Sequence, residues 1–257
     1  MQEFIQFARE LATESGALIM RYFNATREGR GPDIISKADD SPVTAADREA
    51  EALMRAMIEK RFPQHTVVGE EGGTSGGSGG LRWVLDPIDG TRSFVHGVPL
   101  FGTLIALLEG DEPILGVIHL PATGELMLGA KGEPTTVNGR PVRVRETSSL
   151  SQATILYTDG ANMARRGFGD AWNRLESQVA LTRGWGDCYG HFMVAAGRAD
   201  LMFDPVLALW DVAALKPCIL GAGGDFSDIG GNREGLGNSA LSSNGRLHAA
   251  ALEALKG

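Results

Sequence analysis

An apolar run that stops at two carboxylates three residues apart sets the strongest constraint on this chain: Trp83-Val84-Leu85-Asp86-Pro87-Ile88-Asp89-Gly90-Thr91. Pro87 biases Asp86 toward extended backbone, so a strand is expected to run through it. Gly90 permits a sharp turn, and Asp89 suits a helix cap. The outcome is a strand-to-turn corner crowded with two carboxylates and a hydroxyl. Carboxylates so close repel one another unless a cation lies between them. Oxygen donors with no Cys or His nearby favour Mg²⁺ over zinc. The N–H groups of Gly90 and Thr91 suit an anion such as phosphate.

With 257 residues the chain is long enough for one large domain or two tightly joined halves. Its 24 basic against 32 acidic residues argue against nucleic acid or an anionic membrane as a bulk partner. They do not argue against a small anionic substrate, because a bound metal reverses the local field. Cys188 and Cys218 are too few and too far apart for a disulfide framework or a thiolate zinc site. Met1-Gln2-Glu3-Phe4 opens without a basic region and apolar run, so no signal peptide is expected. No apolar run reaches transmembrane length, and the expected address is the cytoplasm.

Apolar residues recur at helical spacing over 3–23. Residues 24–40, rich in glycine and charge, read as a mobile loop or a hairpin. A second helix is expected from Ser41 or Thr44 to about Arg61, with Pro63 just beyond it. Strands are expected at 66–69, 81–85, 101–108, 114–120 and 125–130, with a hairpin around Asn138-Gly139. The Gly/Ser run 72–80 reads as a flexible surface loop. Beyond about 146 strands (153–157, 201–203) alternate with helices (165–178, 189–196, 211–220, 247–255). Pro217 should kink the third of these helices or mark a late start. These patterns predict subdomains 1–145 and 146–257 forming one compact unit.

Five acidic positions share a context. Glu70 follows a strand, Asp86 and Asp89 flank the corner, Asp211 follows Trp210 at a helix start, and Asp47 lies in Ser41-Pro42-Val43-Thr44-Ala45-Ala46-Asp47. Any one alone reads equally as a solvated turn residue or a cap. Together, the motifs Trp83 to Thr91, Trp210-Asp211-Val212-Ala213-Ala214, Gly69-Glu70-Glu71 and Ser41 to Asp47 resemble those of the inositol monophosphatase-like family of Mg²⁺-dependent phosphatases. The resemblance covers nearly the whole chain with its motifs in order.

That resemblance implies the layered αβαβα sandwich of the inositol monophosphatase and fructose-1,6-bisphosphatase superfamily. It implies two to three Mg²⁺ ions, with Mn²⁺ as a substitute. Glu70, Asp86 and the Ile88 carbonyl would hold the first ion. Asp86, Asp89 and Asp211 would hold the second. Thr91, bonded to Asp47, would help activate the attacking water, and Glu70 would orient it through a third, weaker site. The amides of Gly90 and Thr91 would bind phosphate. A homodimer is implied, with Arg183, Trp185 and His191 near its interface, and so is inhibition by lithium.

Substrate choice needs residues that touch the alcohol. By resemblance, Asp204 and the stretch from Arg183 to Asp187 line that pocket. Two carboxylates, Asp187 and Asp204, suit a cationic amine or imidazole better than a neutral polyol. The run Thr91 to Leu107, Gly186 to Gly190 and Asp204-Pro205 resemble the histidinol-phosphatase branch. Inositol-1-phosphatase is the main alternative, followed by fructose-1,6-bisphosphatase and 3′-phosphoadenosine phosphatase. A bisphosphate would call for more Lys and Arg near the pocket than the sequence displays. A non-enzymatic, metal-dependent regulatory protein is the alternative from another class. The complete acidic set argues against it. Lys37 reads either as a solvated loop lysine or as a phosphate contact. Glu71 reads as an outer carboxylate. His96 reads as structural or as a general acid, and His119 and His191 as core or interface residues.

Overall fold

The computed structural model describes residues 1–31, 35, 36 and 42–256. Lys37, the expected phosphate contact, lies outside the described residues, as does Ser41. The first half opens with helix α1 (Gln2–Arg27), whose Phe7, Leu11, Ile19 and Phe23 are buried. Strands β1 (Ile35–Ser36) and β2 (Pro42–Val43) pair antiparallel, which favours the hairpin reading of that region. Helix α2 (Ala45–Arg61) starts at Thr44, whose hydroxyl accepts the Ala46 N–H at 3.1 Å. Strands β3 (Thr66–Gly69), β4 (Gly73–Gly76) and β5 (Leu81–Asp89) follow. Then come the short helix α3 (Thr91–Val95) and strands β6 (Gly102–Glu109), β7 (Glu112–Leu120), β8 (Glu125–Ala130), β9 (Thr136–Val137) and β10 (Arg140–Pro141).

The second half contains β11 (Thr154–Tyr157), α4 (Gly160–Arg165), α5 (Gly169–Glu176), β12 (Leu181–Arg183), α6 (Asp187–Ala195) and β13 (Leu201–Asp204). It ends with α7 (Leu209–Val212), α8 (Leu215–Gly221), β14 (Asp225–Ser227), β15 (Ala240–Ser243) and α9 (His248–Lys256). Among the described residues the strands form a β1–β2 pair, an eight-stranded sheet ordered β10-β9-β8-β7-β6-β5-β3-β4, and a five-stranded sheet ordered β12-β11-β13-β15-β14.

Helices and sheets stack in five layers, the expected αβαβα sandwich. Phe7, Met54 and Ile58 of α1 and α2 pack on Trp83, Leu85, Ile105 and Leu107 of the first sheet. The opposite face of that sheet, through Val84, Leu104, Ala106 and Leu108, packs on Phe192, Val212 and Leu215 of α6, α7 and α8. Those helices also cover Leu156 and Met202 of the second sheet. Trp172, Leu175 and Leu252 of α5 and α9 close the outer face over Ile155 and Phe203. Two covered faces explain why β6 is buried from Gly102 to Leu108 without alternation. Among the described residues no helix is long and apolar enough to cross a membrane.

Three sequence expectations change. The Gly/Ser run is not simply a loop: β4 pairs antiparallel with β3. The helix expected over 165–178 is two helices, broken where Gly167 takes φ +84°. The helix expected over 211–220 is also two. Pro217 sits in the first turn of α8, where its missing N–H costs nothing.

Candidate active site

The corner at the end of β5 is built by a bulge. Asp86 pairs with Leu104, but Asp89 pairs with Gly102, so three residues of β5 advance against two of β6. In a regular strand residues three apart point to opposite faces. One extra residue reverses that parity and turns both carboxylates onto the face that carries Leu104. Pro87 supplies the bulge without a lost ladder bond, since it has no N–H, and its carbonyl accepts from Thr103 Oγ1 at 2.9 Å. Strand β3 runs parallel beside β5 with Gly69 opposite Leu85. Glu70 therefore stands across from Asp86, its N–H donating to Leu85 O at 3.2 Å.

Helix α7 supplies the third carboxylate from the middle layer. Oxygens of Asp86, Asp89 and Asp211 lie within 4.8 Å of one another. The Ala208 N–H donates to Asp211 Oδ2 at 2.7 Å, fixing that side chain. Asp89 is not the helix cap expected of it. Gly90, at φ +83°, takes the N-cap position of α3. The Asp89 Oδ2 instead accepts the N–H of Cys188 and ties the corner to α6.

Burial first, then the charges of Glu70, Asp89 and Asp211, pushes the Asp86 carboxyl well above the ordinary carboxylate range. Burial with Asp187 and Asp211 does the same to Asp89. Burial raises Asp211 to about 6 against the opposing Ala208 N–H. Asp86 Oδ1 is buried with no hydrogen-bond partner. Crowded, partly unsatisfied carboxylate oxygens of this kind fit a hard divalent cation.

Asp47 approaches from α2. Its Oδ2 accepts from the Thr44 N–H at 2.8 Å and from Thr44 Oγ1 at 2.7 Å, which leaves Oδ1 facing Thr91 Oγ1 at 3.5 Å. The Thr91 hydroxyl also lies 2.8 Å from the Ile88 carbonyl. Burial raises Asp47 to about 6.

A pocket of about 140 Å³ opens beside the three clustered carboxylates. Asp89, Asp159, Asp187, Asp204 and Asp211 line it, and among the described residues no lysine or arginine does. Thr158 joins two of them: its hydroxyl donates to Asp204 Oδ2 at 2.7 Å and accepts the Asp187 N–H at 2.9 Å. Asp187 adopts φ +52°, uncommon for a residue with a side chain. Its carboxylate lies over the turn, where a Cβ on Gly90 would come within 3.1 Å of Oδ2. Burial raises Asp187 to about 6, with Arg92 opposing, and raises Asp204 to about 8. Burial favours the protonated form of both acids, and a cation brought against them would favour the ionised form.

Glu70, Asp86, Asp89 and Asp211 thus come together, and Asp187 and Asp204 line the adjoining pocket. Arg183 does not join them. Its side chain is exposed on β12 and donates to the Thr182 carbonyl at 2.7 Å. Thr158, Asp159 and Asn162 line the pocket and were missed in the sequence, where nothing but polarity marks them. His191 also lines it, buried with Nδ1 2.7 Å from Ser242 Oγ. Arg92, Arg165 and Arg166 line a wider outer cleft, about 960 Å³, so basic residues are not lacking near the pocket. His96 is exposed, with Nδ1 2.7 Å from the Arg92 carbonyl.

The family model of the inositol monophosphatase family matches residues 1–257. The chain belongs to this family. Metal dependence is typical of it. A histidinol-phosphatase of Chlorobaculum parvum is 41% identical over 237 residues, covering 92% of this chain and 90% of the relative. A histidinol-phosphatase of Streptomyces coelicolor is 36% identical over 253 residues, covering 95% and 93%. The solved structure of an inositol monophosphatase from Zymomonas mobilis is 34% identical, with a TM-score of 0.86 over 99% of this chain and 98% of that one.

Proposed function

We propose that this chain is a Mg²⁺-dependent phosphatase acting on L-histidinol phosphate. The carrying observation is the pocket: Asp159, Asp187 and Asp204 add three carboxylates beyond the clustered set, with no lysine or arginine among the described residues of the lining. Such a wall stabilises a cationic amine or imidazole and gives a neutral polyol much less. The relatives named histidinol-phosphatase support the same substrate.

Glu70, Asp86, the Ile88 carbonyl, Asp89 and Asp211 would hold two to three ions. Their all-oxygen chemistry suits Mg²⁺, with Mn²⁺ as a substitute. Bound Mg²⁺ supplies charge that binds the phosphate dianion, acidifies a water and neutralises the leaving alkoxide. The chain's own groups arrange the reactants. The Gly90 and Thr91 amides face the phosphate. Thr91 turns its hydroxyl proton toward Asp47, leaving a lone pair to take a proton from the attacking water. The water oxygen bonds to phosphorus, the bond from phosphorus to the alkoxide breaks, and the alcohol departs with a proton. Cys188 and Cys218 are buried, with burial pushing the first thiol well above its usual range and the second to about 12, so neither serves as a nucleophile. A homodimer in the cytoplasm, inhibited by lithium, completes this reading.

A second reading is a bisphosphate substrate. The three arginines of the outer cleft favour a second anionic group there. The test is phosphate release from L-histidinol phosphate with Mg²⁺ and with EDTA. Release that requires Mg²⁺ is expected, and release unchanged by EDTA rejects the proposal.

A further inference from the structure

Helix α2 carries Asp47, Glu51 and Arg55 four residues apart, hence on one face. Asp47 serves the Thr91 corner. Glu51 serves a different place. It is 2% exposed, and its Oε2 accepts the Glu71 N–H at 2.8 Å. Its Oε1 accepts the Gly72 N–H at 2.8 Å and Arg55 Nε at 2.7 Å. Arg55 continues the clamp, donating to Ser75 Oγ at 2.7 Å and to the Gly73 carbonyl at 2.5 Å. The turn is pressed onto the carboxylate: a Cβ on Gly69 would come 2.5 Å from Glu51 Cδ, and one on Gly72 would come 2.8 Å from Oε1. Glu70 is the residue enclosed by these contacts.

The geometry points to Glu51 as a positioning residue of the divalent-ion site, holding the turn from Gly69 to Gly72 so that the Glu70 carboxylate faces Asp86. This rests on the proposed function, in which Glu70 holds an ion. Gly72 is exposed, and water would satisfy an exposed turn amide without a buried charge. Even paired with Arg55, a buried carboxylate is a costly way to bind two amides, and its benefit is a fixed direction for the side chain between them. With Asp47 on the same face, one rigid helix then sets both Thr91 and Glu70.

Glu51→Gln tests this, because an amide side chain presents one N–H group to a site made wholly of donors. Mn²⁺ binding to the metal-stripped protein, followed by electron paramagnetic resonance, gives a readout independent of turnover. Binding is expected to weaken roughly tenfold, as for other groups that orient metal ligands. Turnover at saturating Mg²⁺ and KM for L-histidinol phosphate should stay within about twofold, which general loosening of the fold would not leave intact. Gly72→Ala forces Glu51 away from the other side and should weaken Mn²⁺ binding in the same direction, whether or not the Gln variant folds. Wild-type affinity in a folded variant, with faster amide exchange at Glu71 and Gly72, overturns the positioning role alone. A wild-type protein that binds no Mn²⁺ or Mg²⁺ overturns both this role and the proposed function.

Discussion

The two sheets divide the site into parts of different kinds. The eight-stranded sheet contributes a contiguous corner, Asp86 to Thr91, with Glu70 delivered by the neighbouring parallel strand. The five-stranded sheet contributes Thr158 and Asp204 from the ends of β11 and β13, and α6 beside it contributes Asp187. The first part is made by local chain geometry, a bulge and a glycine turn, and is where the proposed function places the metal and phosphate chemistry. The second is assembled from segments 29 to 46 residues apart, such as Asp187 with Thr158 and Thr158 with Asp204, and is where the proposed function places the choice of alcohol. Catalysis and selection are therefore expected to respond to different substitutions.

The sharpest separation should come from Asp89→Asn. It removes a charge from the carboxylate cluster while keeping a carbonyl oxygen to accept the Cys188 N–H. Turnover on every phosphate ester should fall by about a hundredfold or more, with the circular dichroism spectrum unchanged. Near-normal turnover would falsify the shared metal role.

Asp187→Ala should act on selection. KM for L-histidinol phosphate should rise roughly tenfold, the range of one charge-assisted hydrogen bond, with a smaller change for myo-inositol 1-phosphate. Equal changes for both substrates would erase the proposed division between the sheets.

Thermal melts of the metal-stripped protein test the electrostatics of both parts. Asp204 (about 8), Asp86 and Asp89 have folded values raised above the ordinary carboxylate value of about 4. Above that value the unfolded chain has released these protons while the folded chain retains them. Stability therefore falls as pH rises, until the folded groups have ionised. Between pH 6.5 and 8 a drop in Tm of roughly 4 °C or more is expected, and added Mg²⁺ should suppress it. Below about pH 6.5 the neutral histidines His65, His191 and His248, which are buried, and the half-buried His119 work in the opposite direction. A Tm independent of pH between 6.5 and 8 would contradict the buried, like-charged cluster. The smallest effect is expected of His96→Ala: the exposed ring should leave the pH–rate profile in place and kcat within about twofold.

The same division governs what the sequence revealed. The corner is contiguous, so Trp83 to Thr91 could be read directly. What the bulge does is not local: Asp89 looks like a cap until Cys188 arrives from 99 residues away to donate to it. Strand β4 has a Gly/Ser composition without β propensity and exists because β3 offers an open edge and Arg55 holds Gly73. Strand β15 hides because its buried Ser242 and Ser243 look exposed in sequence. They are satisfied by His191 and His248, the latter also bonded to Ser227. His191 looks like an ordinary core residue for the same reason. Arg165 and Arg166 lie inside what reads as one continuous helix, and the break at Gly167 is part of how they come to line the outer cleft.

The central claim is that carboxylates outside the metal cluster choose a cationic alcohol. The direct measurement is the ratio of kcat/KM for L-histidinol phosphate to that for myo-inositol 1-phosphate, in the wild type and in Asp187→Asn/Asp204→Asn. The account predicts a strong preference for histidinol phosphate that collapses in the double variant while inositol phosphate turnover persists. A wild type that prefers inositol phosphate, or a preference that survives loss of both charges, would contradict it.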